Sequence, residues 1–246
     1  MLIPGIVSIT FKTLSIQEII SLTNANDLKA IEWSENHHIE LNNKAQAALV
    51  GELTRDNGLQ VASYGSYFKL GKRADIIPHL ENTKAMKAPF MRIWAYDKPS
   101  SEVDGNEYNV IVAEAKKVCK IAKDYNIPLT LEWHKNTLTD TNESGLKLLR
   151  DVDSPYFKTF WQPTQALSVE QRVEGLKLIK PYLTNLHVYY WTKDRREELK
   201  DGKDYWQQYL KAVDDKVHYA LLEFVKNDSA EQFEKDVIVL KHLLNK

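Results

Sequence analysis

Cysteine is almost missing from this chain: Cys119 is the only one in 246 residues. One thiol closes no disulfide within the chain, and without a CxxC pair there is no basis for a zinc ribbon. Glycine is scarce too, at 9 residues, and the first turn, "TFKTLS", carries no GxGxxG. That weakens dinucleotide and P-loop readings, which need a glycine-rich phosphate cradle. Excess charge of either sign is lacking: 33 Lys and Arg against 34 Asp and Glu leave a formal net charge of −1. Such a balance makes no broad positive field for nucleic acid. No apolar run reaches the ~18 residues of a membrane span. The start, "MLIPG", lacks the basic stretch and cleavage site of a secretory signal. The expectation is a cytoplasmic protein without a nucleic-acid or membrane partner. Linkers and low-complexity tracts are also absent, so residues 1–246 read as a single domain.

What is present is ordinary globular composition, 43% hydrophobic and 27% charged, laid out as an alternation. Short β-branched runs read as strands: Gly5–Phe11, Leu28–Trp33, Leu59–Tyr64, Phe90–Ala95, Ile127–Trp133, Phe157–Gln162, Thr184–Trp191 and His218–Val225. Between them lie longer amphipathic stretches, the first opening at Ser15, a good N-cap. Strict alternation argues for a parallel sheet with helical crossovers, and at this length for an α/β fold of the (β/α)8 TIM barrel type. An open doubly wound sheet is the structural alternative.

Barrel chemistry sits at the C-terminal ends of the strands. The fifth strand ends in Glu132 ("LEWHKNT"), the sixth in Gln162 ("FWQP"), the seventh carries His187 ("LHVYYW") and the eighth Glu223 ("LLEFV"). Four metal-capable side chains thus fall on four consecutive strands, each about one βα unit from the last. Adjacent strands are about 4.8 Å apart, so such groups can converge on one ion. An acid inside an apolar strand needs a reason, because burying an unpaired carboxylate costs several kcal/mol. A salt bridge, for instance to Arg92 in "FMRIWA", would explain either glutamate alone. A lone His187 would more often be a satisfied core histidine. The two acids with a histidine between them in order point to a site.

At this point "GIVSITF", "LKAIEW", "LEWHKNT", "LHVYYW" and "LLEFV" resemble the xylose isomerase-like TIM-barrel superfamily, the sugar phosphate isomerases and epimerases, over essentially the whole chain. The resemblance implies a divalent metal held by Glu132, Gln162, His187 and Glu223, with Gln162 standing where the family has Asp. Mn2+ is the first expectation, with Mg2+, Co2+ or Zn2+ as alternatives. It further implies isomerase or epimerase chemistry on a sugar or sugar phosphate, in which Glu132 and Glu223 move a proton next to a carbonyl through an enediolate. An inosose-type dehydratase would use the same site. A phosphodiesterase of the endonuclease IV type fits poorly, because histidines are missing after the third, fourth and sixth strands. A carbohydrate-binding barrel without catalysis is the reading in which Gln162 has cost the metal.

The expected partner is a small sugar or polyol, and self-association into a homo-oligomer stays open. Candidate substrate contacts are His134 and Asn136 after Glu132, His38 after the second strand, Tyr189, Trp191 and Arg92, the last more readily a charge bridging interior acids. Five of the six tryptophans, Trp33, Trp94, Trp133, Trp161 and Trp191, fall at strand ends. Strand parity turns Trp133 and Trp161 outward if Glu132 and Gln162 face in, and lets Trp191 and Tyr189 share the face of His187. A phosphate would find Lys69, Lys72 and Arg73, or Lys193, Arg195 and Arg196.

Overall fold

The helices start where short polar side chains cap them. Ser15 and Glu18 exchange bonds in a capping box at α1 (Ile16–Ala25), and Ser168 and Gln171 do the same at α6 (Val169–Ile179). Asn43, Asp104, Thr141 and Ser229 cap α2 (Lys44–Asp56), α4 (Gly105–Tyr125), α5 (Asn142–Val152) and α8 (Ala230–Leu244). The remaining helices are α3 (Ile77–Met86) and α7 (Lys203–Ala212). A computed structural model describes residues 2–192, 195–213, 216 and 218–245.

Between the helices run the strands β1 (Leu2–Val7), β2 (Ala30–Ser34), β3 (Gln60–Lys69), β4 (Met91–Trp94), β5 (Leu129–Glu132), β6 (Phe157–Trp161) and β7 (Leu183–Val188). A short hairpin, β8 (Tyr190–Thr192) with β9 (Arg195–Glu197), follows, and then β10 (His218–Leu222). The eight long strands are all parallel and close as β1-β10-β7-β6-β5-β4-β3-β2. The fold is therefore a TIM barrel, and closure rules out the open doubly wound sheet.

Large rings on the outward face of the strands lock the helices on. Trp33 Nε1 donates to Thr54 Oγ1 of α2 at 3.0 Å. Trp133 lies on α5 at Gly145, where a Cβ would stand 2.3 Å from the indole. Trp161 meets Trp206 and Tyr209 of α7 edge-on. These contacts follow the parity read from the sequence, and they leave the opposite face of β5 and β6 for Glu132 and Gln162.

Three segments depart from the sequence reading. β1 ends at Val7, and Ser8–Phe11 forms a buried 3-10 turn instead of continuing the strand. Its Thr10 hydroxyl donates to the Leu222 carbonyl and accepts from Phe224 N, tying the turn to the end of β10. The run Thr184–Trp191 breaks at Tyr189, because Tyr190–Thr192 pairs with Arg195–Glu197 rather than with the barrel. β3 continues past Tyr64 to Lys69, with a register shift against β4 after Gly65. Among the described residues no helix is long and apolar enough to cross a membrane.

Candidate active site

β5 ends on Glu132, and the position after β6 is Gln162, so both side chains emerge at one rim of the barrel. Arg92, on neighbouring β4, donates from Nη1 to Glu132 Oε2 at 2.6 Å. Gln162 Nε2 donates to the other carboxylate oxygen at 3.2 Å. All three residues are buried. Desolvation opposes the Arg92 charge, but Glu132 and Glu32 outweigh it, so the guanidinium is held charged. The sequence reading of Arg92 as a charge bridging interior acids is what the structure places here.

The second half of the site is built on β2, β7 and the residue after β10. His187 Nε2 donates to Glu32 Oε2 at 3.3 Å, and its Nδ1 lies 3.3 Å from Glu223 Oε2. Ser63 of β3 donates its hydroxyl to the same Glu32 oxygen. Desolvation alone would strip the proton from so buried an imidazole. The charges of Glu223 and Glu32 win and lift His187 from 6.5 to about 10. Glu32 is likewise shifted: burial raises it, but His187, Arg92 and the Ser63 hydroxyl together carry it below its ordinary value. The rim thus holds two charge-paired groups side by side, Arg92–Glu132–Gln162 and Glu32–His187–Glu223.

A cavity of about 110 Å³ opens over them, lined by Glu132, His134, Gln162, Tyr189, Trp191 and Glu223 among others. An apolar cavity of ~150 Å³ takes a benzene ring, so a six-carbon substrate would also occupy the open rim. Aromatic rings flank the opening. On one side His134 lies on Trp94 at 4.7 Å, and Trp94 stacks towards Tyr67. On the other, Trp191 packs on Tyr189 and Phe224. The Tyr189 hydroxyl donates to the Pro163 carbonyl at 3.1 Å. Burial first, then the charges of Glu223 and Glu132, push this phenol well above its ordinary value, so it stays a neutral donor.

Three expected substrate contacts do not line the cavity: Arg92, which is taken up by Glu132, and also His38 and Asn136. His38 turns away because its Nε2 bonds the Leu14 carbonyl at 3.1 Å and its ring packs edge-on to Trp33. Asn136 is exposed and takes φ 60° in the loop after β5. The backbone turn it serves points its side chain to solvent, and it does not line the cavity. The basic residues offered for a phosphate are largely paired: Lys72 with Asp97 at 2.6 Å, Arg195 with Glu197 at 3.6 Å, and Arg196 with Asp228. Lys193 falls outside the described residues. Sequence reasoning left Glu32 out of the candidate site. The signal was there, since "KAIEW" sets an acid in a strand buried at every position, as "PLTLEW" does. Nothing in the sequence pointed to the buried acceptor Glu35, which takes bonds from Tyr64, Tyr67 and His79 below the same rim.

Two carboxylates, an amide oxygen and an imidazole suit a hard to borderline divalent ion in kind. One observation favours that fit. Gln162 Oε1 is buried with no hydrogen-bond partner, and a ligand would satisfy it. The donors are not gathered into a shell, however. Among the described residues no three His, Cys, Asp or Glu side chains form a metal-holding cluster, because Glu132 leans on Arg92 and His187 on Glu32. The residues match such an ion in chemistry, and side-chain rotation would be needed to close them on it.

A family model described as the xylose isomerase-like TIM barrel matches residues 20–242. The chain belongs to that family. A curated 3-dehydroshikimate dehydratase of Bacillus anthracis is 24% identical over 196 residues, 74% of this chain and 68% of that protein. Among solved structures, the probable 3-DHS dehydratase involved in petrobactin synthesis from the same organism superposes with a TM-score of 0.81 at 21% identity, covering 98% of this chain and 99% of that one. D-psicose 3-epimerase from Clostridium cellulolyticum H10 superposes with a TM-score of 0.76 at 12% identity, covering 99% of each. At such identities the superpositions speak for the fold. The proteins so matched include a dehydratase and an epimerase on this one fold.

Proposed function

We propose that this chain abstracts the proton beside a carbonyl of a small polyhydroxylated keto compound and then expels the neighbouring hydroxyl, as a divalent-metal-dependent dehydratase. The observation that carries the reading is the unequal setting of the two glutamates on the cavity wall. Glu132 is clasped by a guanidinium, which keeps its proton at any working pH, and by an amide. Glu223 instead lies 3.3 Å from the His187 imidazole. Two donors tie down Glu132, which leaves Glu223 the better placed of the pair to take a proton. A dehydration in which one group both takes and returns the proton fits that inequality.

Mn2+ is the preferred ion, before Mg2+, Co2+ or Zn2+, and Glu132, Gln162, His187 and Glu223 would hold it. When bound it would supply Lewis acidity for the negative charge developing on the substrate's carbonyl oxygen. Glu223 takes the proton from the carbon beside the carbonyl. The freed C–H electron pair becomes a C=C bond as the adjacent C–O bond breaks. The leaving hydroxide receives the proton back from Glu223, and the net loss is one water. Tyr189 stays on the cavity wall, and Arg92 holds Glu132 throughout. Lys135, also on the cavity wall, offers a cation to a substrate carboxylate. That suits 3-dehydroshikimate, the compound acted on by the relative, which becomes an aromatic dihydroxybenzoate on losing water.

The test is incubation with Mn2+ in D2O with 3-dehydroshikimate, inososes and ketoses, read by NMR. Deuterium should enter beside the carbonyl, and water should be lost from the first or second class. Glu223→Gln should slow exchange by about 10²- to 10⁴-fold while melting near the wild-type temperature. No exchange into any of the three classes would reject the reading. Epimerisation or isomerisation is the second reading, favoured because Glu132 and Glu223 line the same cavity, as proton transfer on two faces of a sugar requires. Exchange with every oxygen retained in the product would select it.

A further inference from the structure

Glu32 lies at 0% exposure, outside the cavity and outside the four-residue donor set, yet it is where the two halves of the site meet. Its Oε2 takes His187 Nε2 at 3.3 Å and the Ser63 hydroxyl. Its Oε1 is buried without a hydrogen-bond partner and turns towards Arg92 across Gly65. A Cβ on Gly65 would stand 3.0 Å from both Glu32 Oε1 and Arg92 Nη2, so glycine leaves the two charges room to face each other. Gly65 pairs with Ser34 on the β2 side and with Arg92 on the β4 side, which sets the acid and the guanidinium over one gap.

We propose that Glu32 is a positioning residue: its carboxylate holds His187 by Nε2, turns Nδ1 towards Glu223 and the cavity, and anchors Arg92 against Glu132. The inference rests on the proposed reading only in taking Glu132, His187 and Glu223 as working groups. A ligating or proton-trading histidine is commonly fixed by a carboxylate on its other ring nitrogen, and Glu32 is the group on that nitrogen here. His187 then offers Nδ1 to the site.

The experiment compares wild type, Glu32→Gln, Glu32→Asp and Ser63→Ala. The first readout is the His187 ring by ¹⁵N–¹H NMR in metal-free protein, which needs neither metal nor substrate. The second is Mn2+ affinity by calorimetry. Glu32→Gln should move the ring nitrogen signals and weaken Mn2+ binding about 10- to 100-fold. Glu32→Asp, which keeps the charge, should recover most of the ring signature. Ser63→Ala, a milder change that frees one side of the carboxylate, should shift the same signals by less. It serves as the deciding variant if Glu32→Gln does not fold. Unchanged ring signals in a folded Glu32→Gln, or in Ser63→Ala where Glu32→Gln is unfolded, overturn the proposal. If wild type itself takes up no Mn2+, the metal reading fails while the metal-free NMR comparison still decides the role of Glu32.

Discussion

Replacing Gln162 with Asp should change sign with the metal. In metal-free protein Gln162 Nε2 donates to Glu132 Oε1 at 3.2 Å, both side chains being buried. A hydrogen bond to a charged acceptor contributes about 1.5–3 kcal/mol, and Asp deletes the donor. It also sets a second carboxylate against the first. Two unit charges at that spacing repel by about 5 kcal/mol at an effective dielectric of 20, an upper scale that proton uptake relieves. The metal-free loss should therefore be about 3 kcal/mol or more, and for a chain of this size 1 kcal/mol moves the melting point by about 2–4 °C. A drop of roughly 6–12 °C follows. With Mn2+ the added charge works the other way, and affinity should rise about tenfold or more, the carboxylate being a stronger hard ligand than an amide. Differential scanning fluorimetry and calorimetry, each with and without Mn2+, read both arms. Gln162→Ala calibrates them: it loses the bond without adding charge, so it should melt between the other two without metal and bind Mn2+ least. An Asp variant that melts like wild type without metal and binds Mn2+ no better would refute the placement of Gln162 against Glu132 and in the donor set.

Other consequences follow from the same two charge pairs. Arg92→Met strands Glu132 in a buried site without a partner, which should cost about 3–5 kcal/mol in urea unfolding, whereas Arg92→Lys, keeping the charge but not the planar fork, should lose less. His187 titrates at about 10 in the fold against an ordinary 6.5. Its charge therefore stabilises metal-free protein fully below about pH 6.5 and is lost as pH rises towards 10, so the urea midpoint should fall across that window. His187→Asn should flatten the decline, and an equal slope in both proteins would contradict the raised value.

The fold was legible because its determinants are local. Ser15 before an amphipathic run, or Glu132 and Trp133 on opposite faces of one strand, are decided by neighbours a few residues away, and the structure places them as the pattern implies. Where a distant partner decides, the pattern misleads. Nothing local says that Thr10 will tie a turn to the end of β10, or that Tyr190–Thr192 will leave the barrel for Arg195–Glu197. His38 had the right address, after β2, but the Leu14 carbonyl captures its ring.

The site was half legible for the same reason. Strand-end position picked out Glu132, Gln162, His187 and Glu223, because it depends only on register within each βα unit. Their pairing does not. His187 meets Glu32 across 155 positions of sequence, on strands three places apart in the closed barrel with β1 and β10 between β2 and β7. Only closure brings them together, so the sequence alone does not tie the acid on β2 to the histidine of β7. That arrangement also bears on chemistry. Arg92 and Gln162 each hold one oxygen of Glu132, whereas Glu223 meets the His187 imidazole. Two glutamates that read alike in the sequence are therefore set differently by the barrel, Glu132 tied by two donors and Glu223 beside an imidazole. A reaction needing two interchangeable bases would gain nothing from that difference. One that takes a proton and gives it back from the same side would be built on it.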